Sequence, residues 1–100
     1  MFAVVLCTTP AVDAQRISGT LVEERLVACV NIADVKSVFR WNDEVQSEAE
    51  ALLVMKTRAG KVRDLIARIR ELHSYEVPEV IALPVIDGLE EYLDWVRESV

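Results

Sequence analysis

The spacing of apolar residues changes twice in the first part of the chain. A continuous apolar run is followed by apolar residues at helical spacing and then by apolar residues at alternate positions. Residues 2–7 are almost all apolar, which is typical of a strand buried on both faces. An amphipathic helix follows, for which we expect Thr9 as the N-cap and Pro10 as the first helical residue. Gly19 lowers the helix propensity of this segment, and we expect a close approach of the helix to the sheet there. Residues 28–40 then alternate as a strand does, with a slip near residues 33–34 that predicts a β-bulge.

A long β-hairpin is predicted from the middle of the sequence. Residues 41–44 have the character of a turn, and residues 45–57 form a second alternating strand. Arms of about thirteen residues would extend about 43 Å, whereas a domain of this length has a radius of gyration of about 13 Å. Such a hairpin overhangs its own domain, and an uncovered apolar ladder is an aggregation hazard. We therefore expect an oligomer joined by strand pairing.

The last third predicts a helix, a strand and a short helix. Residues 62–72 place apolar side chains at helical spacing. Residues 77–85 form a strand that its two prolines restrict to an edge, and a short helix follows Gly88. The order is β-α-β-β-α-β with a terminal helix, which is the α+β ferredoxin-like arrangement. Right-handed crossovers place the first and third strands at the centre of the sheet.

Composition restricts the class of protein further. The chain has 100 residues, of which 52% are apolar, so we expect one domain over residues 1–100. A net charge of −6 provides no basic footprint for nucleic acid and no attraction to anionic lipid. No apolar run is long enough to span a membrane, and the start of the chain has no basic region typical of a signal peptide. We therefore expect a cytoplasmic protein.

Metal-ligating side chains are few. The only soft or borderline ligands are two cysteines and one histidine. Cys7 and Cys29 fall two strands apart, about 9–10 Å, which is too far for a disulfide. Cys29 is a suitable ligand for Cu(I), or alternatively a cysteine that is simply buried. We expect Cys7 to belong to the core. His73 is a good copper or zinc ligand, or alternatively a residue that satisfies the end of a helix.

Several segments together resemble the CutA family of divalent-cation tolerance proteins. They are residues 4–8, 25–32, 39–41, 55–57, 73–79, 83–85 and 92–95. The resemblance implies a homotrimer of ferredoxin-like subunits with interlocking hairpins, similar in architecture to the nitrogen-signalling PII proteins, and it implies copper binding. Two positions depart from the family pattern: Ser74 replaces a usual proline, and residues 42–43 replace a usual acidic-Gly pair at the hairpin tip.

A second group of residues suggests a cleft between subunits. Its members are large or charged side chains at the hairpin and near the C-terminal half: Trp41, Lys56, Tyr75, Glu79 and Trp95. Exposed aromatic side chains are explained by an interface. Lys56 either pairs with Glu79 or binds an anionic ligand in this cleft.

Two functions follow as hypotheses. The first is a trimeric, cytoplasmic metal-response protein that binds copper or another divalent cation weakly through Cys29 and His73, with no organic cofactor. The alternative is a PII-like signalling or scaffold trimer that binds a small anion or a peptide in its intersubunit cleft. We do not expect an enzyme, because the sequence has no nucleophile elbow, His–carboxylate motif or cofactor loop. An acid–base pair of His73 and Glu79 is the remaining catalytic alternative.

Overall fold

The fold has the predicted order of elements. A computed structural model describes residues 1–100. Its elements are β1 (Phe2–Thr9), α1 (Ala11–Glu23), β2 (Cys29–Trp41), β3 (Glu44–Arg58), a 3₁₀ turn (Ala59–Lys61), α2 (Val62–Leu72), β4 (Val80–Val85) and α3 (Glu90–Ser99). The sheet order is β2-β3-β1-β4 and every neighbouring pair is antiparallel. This confirms the ferredoxin-like α+β fold with β1 and β3 at the centre.

Helices cover both faces of the sheet. Alternate residues of β1 and β3 form the core with the inner faces of α1 and α2; its fully buried members include Val5, Leu53, Met55, Ile17, Leu21, Leu65 and Ile69. Phe2 and Val4 alternate with these buried positions and so point to the opposite face. There the Arg97 guanidinium of α3 lies 5.2 Å from the centre of the Phe2 ring. None of the helices combines the length and the apolar character that a membrane crossing requires.

The hairpin extends beyond the sheet as a two-stranded ribbon. β1 pairs with β3 only as far as Ala51, whereas β2 and β3 stay paired from Cys29↔Lys56 to Trp41↔Glu44. Asn42 and Asp43 form a two-residue turn with φ values of 52° and 61°, as a type I′ turn requires. The overhang gives the chain a long axis of 44 Å and a radius of gyration of 14.0 Å.

Three local predictions are wrong. β2 contains no bulge, since its pairing with β3 is unbroken through residues 33–34. The slip in the alternation falls just before the ribbon begins, where no core fixes one face of the strand. Thr9 is fully buried as the last residue of β1, so Pro10 is the N-cap of α1. β4 begins at Val80 instead of residue 77, because Pro78 has no N–H for a ladder.

A close approach between α1 and the sheet does not explain Gly19. The buried residues of α1 are Ala14, Ile17, Ser18 and Leu21, whereas Gly19 lies on the exposed side of the helix. A Cβ atom added at Gly19 would meet no other atom within 4 Å. The expectation of a tight contact at this glycine is therefore wrong.

Candidate functional site

His73 fastens the loop after α2 to the first strand. The helix ends at Leu72, and His73 is extended and buried, with 8% of its surface exposed. The Tyr75 N–H donates to His73 Nδ1 at 3.0 Å, and His73 Nε2 lies 2.7 Å from the Thr8 carbonyl oxygen. Since an amide can only donate, Nδ1 is the acceptor, and Nε2 carries the hydrogen that it donates to Thr8. Both ring nitrogens of this neutral imidazole are thus occupied by main-chain groups.

Tyr75 ties the same loop to the base of the ribbon. Its hydroxyl donates to Glu50 Oε2 at 2.7 Å, and its ring centre lies 4.7 Å from that of His73. Burial raises the pKa of Tyr75, and the bond to the Glu50 carboxylate raises it further. Glu50 is itself buried, with 7% of its surface exposed. Ser74 adds a hydrogen bond to Asp13 Oδ2 of α1 at 3.2 Å, so this loop is held by three elements.

A cleft of about 820 Å³ lies between this loop and the ribbon. We call it the ribbon cleft, and it is lined by Thr8, Ser37, Val38, Phe39, Arg40, Trp41, Gln46, Glu48, Glu50, Ser74, Tyr75, Glu76, Val77 and Glu79. Its four glutamates outnumber its one arginine, so its electrostatic potential favours cations. Three of the five residues predicted for an intersubunit cleft line this cleft of a single chain: Trp41, Tyr75 and Glu79.

Lys56 and Trp95 lie outside the ribbon cleft, Lys56 beside Cys29 and Trp95 on α3 beside Tyr92. Lys56 is paired across the sheet with Cys29; its Nζ lies 3.9 Å from Cys29 Sγ and donates to Asn31 Oδ1. Burial, and then the neighbouring Cys29, raise the pKa of Tyr92 of α3. The rings of Tyr92 and Trp95 lie 5.6 Å apart. We call Cys29, Asn31, Lys56 and Tyr92 the thiol cluster.

The predicted pairing of Lys56 with Glu79 is wrong within the chain. Lys56 pairs with Val4 of β1. Glu79 comes directly before Val80, and Val80 pairs with Cys7 of the same strand. Three residues of strand separate the two levels by about 10 Å. No ion pair joins these two side chains.

The two predicted metal ligands are also far apart. Cys29 pairs with Lys56, which in turn pairs with Val4 of β1, whereas His73 is bonded to Thr8 of β1. The distance from Val4 to Thr8 along the strand is about 13 Å, so Cys29 and His73 lie at different levels of the sheet. No three His, Cys, Asp or Glu side chains of the chain are close enough to hold a metal ion together. Cys7 and Cys29 are both free thiols, and Cys7 lies in the core as expected. Within a single chain, Cys29 is therefore the only predicted ligand that a soft metal could reach.

Sequence reasoning missed four side chains of these sites. Glu48 and Glu50 line the ribbon cleft, and their signal was the pair of carboxylates that they place on one face of β3. Asn31 and Tyr92 belong to the thiol cluster, and only the strand register and the packing of α3 bring them to Cys29.

Comparison with known proteins gives one consistent result. Residues 3–99 match the family model described as CutA1 divalent ion tolerance protein. The divalent-cation tolerance protein CutA of Thermus thermophilus is 48% identical over 101 residues, covering 99% of this chain and 98% of that protein.

Solved structures show the same fold. The structure of the periplasmic divalent cation tolerance protein CutA from Archaeoglobus fulgidus superposes with a TM-score of 0.97 at 36% identity, over 99% of this chain and 98% of that one. The PII-like protein CutA from Nostoc sp. PCC 7120 in apo form has a TM-score of 0.93 at 41% identity, over 97% and 95%. The resemblance noted in the sequence is confirmed.

Proposed function

This chain belongs to the CutA1 divalent ion tolerance family, and on that basis we propose that it acts in divalent-cation tolerance by binding the cation weakly in the ribbon cleft. The observation that carries the proposal is the lining of the cleft, with four glutamates and one arginine. Carboxylate oxygens are suitable ligands for divalent cations such as Mn²⁺, and copper binds any such site more tightly. Weak binding is expected because no three of these carboxylates converge on one point, so at most two would contact the cation and water would complete its shell. The cleft also contains no free thiol or imidazole nitrogen.

The proposal includes a homotrimer. Both outer strands of the sheet, β2 and β4, have a free edge in the single chain. Large apolar side chains are exposed along the ribbon and on β4: Val38, Phe39, Trp41, Val45, Ile81 and Leu83. Pairing between copies would cover these edges and side chains. Light scattering should give three times the mass of one chain.

The metal proposal is tested by titrating the reduced protein with Mn²⁺ and with Cu²⁺. Glu79→Gln and Glu48→Gln should each weaken binding of both ions, whereas Glu90→Gln on α3 is a charge-matched control that should not. Cys29→Ser and His73→Ala test the ligands predicted from the sequence. Loss of copper binding in those two variants, with the cleft variants unchanged, would refute the ribbon cleft as the site.

The cleft also supports a second candidate, a PII-like signalling or scaffold role. Its volume is within the range of ligand pockets, and Trp41 and Tyr75 supply aromatic contact surface. The acidic lining fits a basic peptide better than the small anion expected from Lys56, which lies outside the cleft. A lysine-rich peptide should quench Trp41 fluorescence, and Glu79→Gln should weaken that effect. A peptide of reversed charge is the control, and equal quenching by both would reject this role.

A further inference from the structure

The thiol cluster places a cation beside an accessible sulfur. Cys29 is half-buried at the start of β2, and Lys56 Nζ lies 3.9 Å from its Sγ. Tyr92 of α3, which neighbours this thiol, is itself 40% exposed, so the cluster lies near the surface. A cation beside a partly exposed cysteine is typical of the surroundings in which cysteines react with disulfides.

Lys56 has no carboxylate partner. Every ion pair of the chain is formed by an arginine: Arg16, Arg68 or Arg97. Lys56 is half-buried on the face that α3 covers, and its polar neighbours are Asn31 and Cys29. A half-buried ammonium without a counter-charge attracts an anion, and here that anion arrives beside a thiol.

We propose that Cys29 is a modification site that forms mixed disulfides with anionic, low-molecular-weight disulfides, which Lys56 selects by charge. Oxidised glutathione is a disulfide of this class. The Cys29 thiolate, its proton lost to solvent, attacks one sulfur of the reagent. A bond forms from Sγ to that sulfur, the reagent's S–S bond breaks, and a thiolate leaves with the electron pair. Cys29 is thereby oxidised and the departing half of the reagent is reduced. This site is separate from the ribbon cleft and does not depend on metal binding there.

Cys7 is an internal control for this reaction. It is fully buried in the core, and burial raises the pKa of its thiol to about 12. A thiol without exposure and without a stable thiolate does not exchange with disulfides. The native protein should therefore take up one adduct per chain, on Cys29, while Cys7 reacts only after unfolding.

The adduct would change how α3 sits on the sheet. Tyr92 of α3 neighbours Cys29, and Val96 of the same helix is buried against the sheet side of the molecule. A tripeptide attached to the sulfur would need space beside Tyr92, so we expect α3 to shift or lift. Protection of α3 from proteolysis should fall when Cys29 carries the adduct and return on reduction.

The test uses the intact, reduced protein and two disulfides with the same peptide skeleton: oxidised glutathione and its ester, whose carboxylates are capped. The rate of each reagent with free cysteine corrects for the different leaving thiolates. Adduct formation is followed by mass spectrometry, with peptide mapping to assign the cysteine. Lys56→Met should lower the preference for the free acid over the ester about fivefold, the factor given by attraction of unit charges about 4 Å apart in water. The preference should also fall at high salt.

Two variants separate charge from structure. Lys56→Arg keeps the cation and should keep the preference, and Lys36→Met removes the same charge from an exposed position on the ribbon and should change nothing. An adduct on Cys7, no adduct on native protein, or a preference that Lys56→Met leaves unchanged would each overturn the proposal.

Discussion

Replacement of His73 distinguishes a structural imidazole from a metal ligand. The ring joins the Thr8 carbonyl of β1 to the Tyr75 amide of the following loop, and both bonds are made by buried or half-buried atoms. His73→Ala removes both partners at once. His73→Asn places an amide oxygen near the position of Nδ1, and His73→Gln places an amide nitrogen near that of Nε2, so each conserves one bond.

The expected cost follows from these two bonds. A neutral intramolecular hydrogen bond contributes about 1 kcal/mol, and a buried group left without a partner costs about 1–3 kcal/mol. His73→Ala should therefore lower the free energy of unfolding by about 2–4 kcal/mol. Asn and Gln should each lower it by about 1–2 kcal/mol, because each restores one of the two bonds.

Urea unfolding at one fixed protein concentration measures these differences, since the stability of an oligomer depends on concentration. Copper titration of the same variants gives the second readout. The reasoning would be refuted if all three variants unfolded at the wild-type midpoint while losing copper. That result would make His73 a ligand and its main-chain bonds unimportant for stability.

Three further predictions concern stability and are checked by urea or thermal unfolding. Gly19→Ala should stabilise the protein by about 0.5–1 kcal/mol, because the helix gains propensity and the added methyl group has open space; a loss would reveal a contact there. Tyr75→Phe should cost about 1–3 kcal/mol, since buried Glu50 loses its donor, and an unchanged midpoint would mean that water replaces it. Asp43→Gly should stabilise the hairpin by about 0.5 kcal/mol, because φ is 61° there, and Asn42→Pro, which forces negative φ, is the opposing control.

The sequence predicted the order of elements because their periods are long and unlike one another. The helical spacing of residues 62–72 and the apolar run of residues 2–7 allow one interpretation each, and right-handed crossovers then fix the sheet order. The prediction of a β-bulge failed because residues 31–34 of this outer strand are all exposed in the chain, so no core fixes one face there. The alternation of residues 33–34 therefore carries no information about pairing.

The sites were harder to predict because they depend on register and on main-chain atoms. Trp41, Tyr75 and Glu79 do share a cleft, whereas Lys56 lies opposite Cys29. The expected turn over residues 41–44 implies this same register, since it places Arg40 opposite Val45, but the expectation for Lys56 and Glu79 did not use the register. The partners of His73 are a carbonyl and an amide, groups that every residue has, so no sequence pattern marks them.

The ribbon has an adjustable reach. From Val35↔Glu50 to Trp41↔Glu44 its arms pair one residue with one residue, and no third strand pairs with them. Two residues added to each arm would carry the turn about 7 Å further out and leave every side chain of the sheet on its present face. A single residue added to one arm would instead force a bulge. Related chains can therefore differ in length here in steps of four residues while conserving the same core, and the reach of the ribbon can be tuned independently of folding.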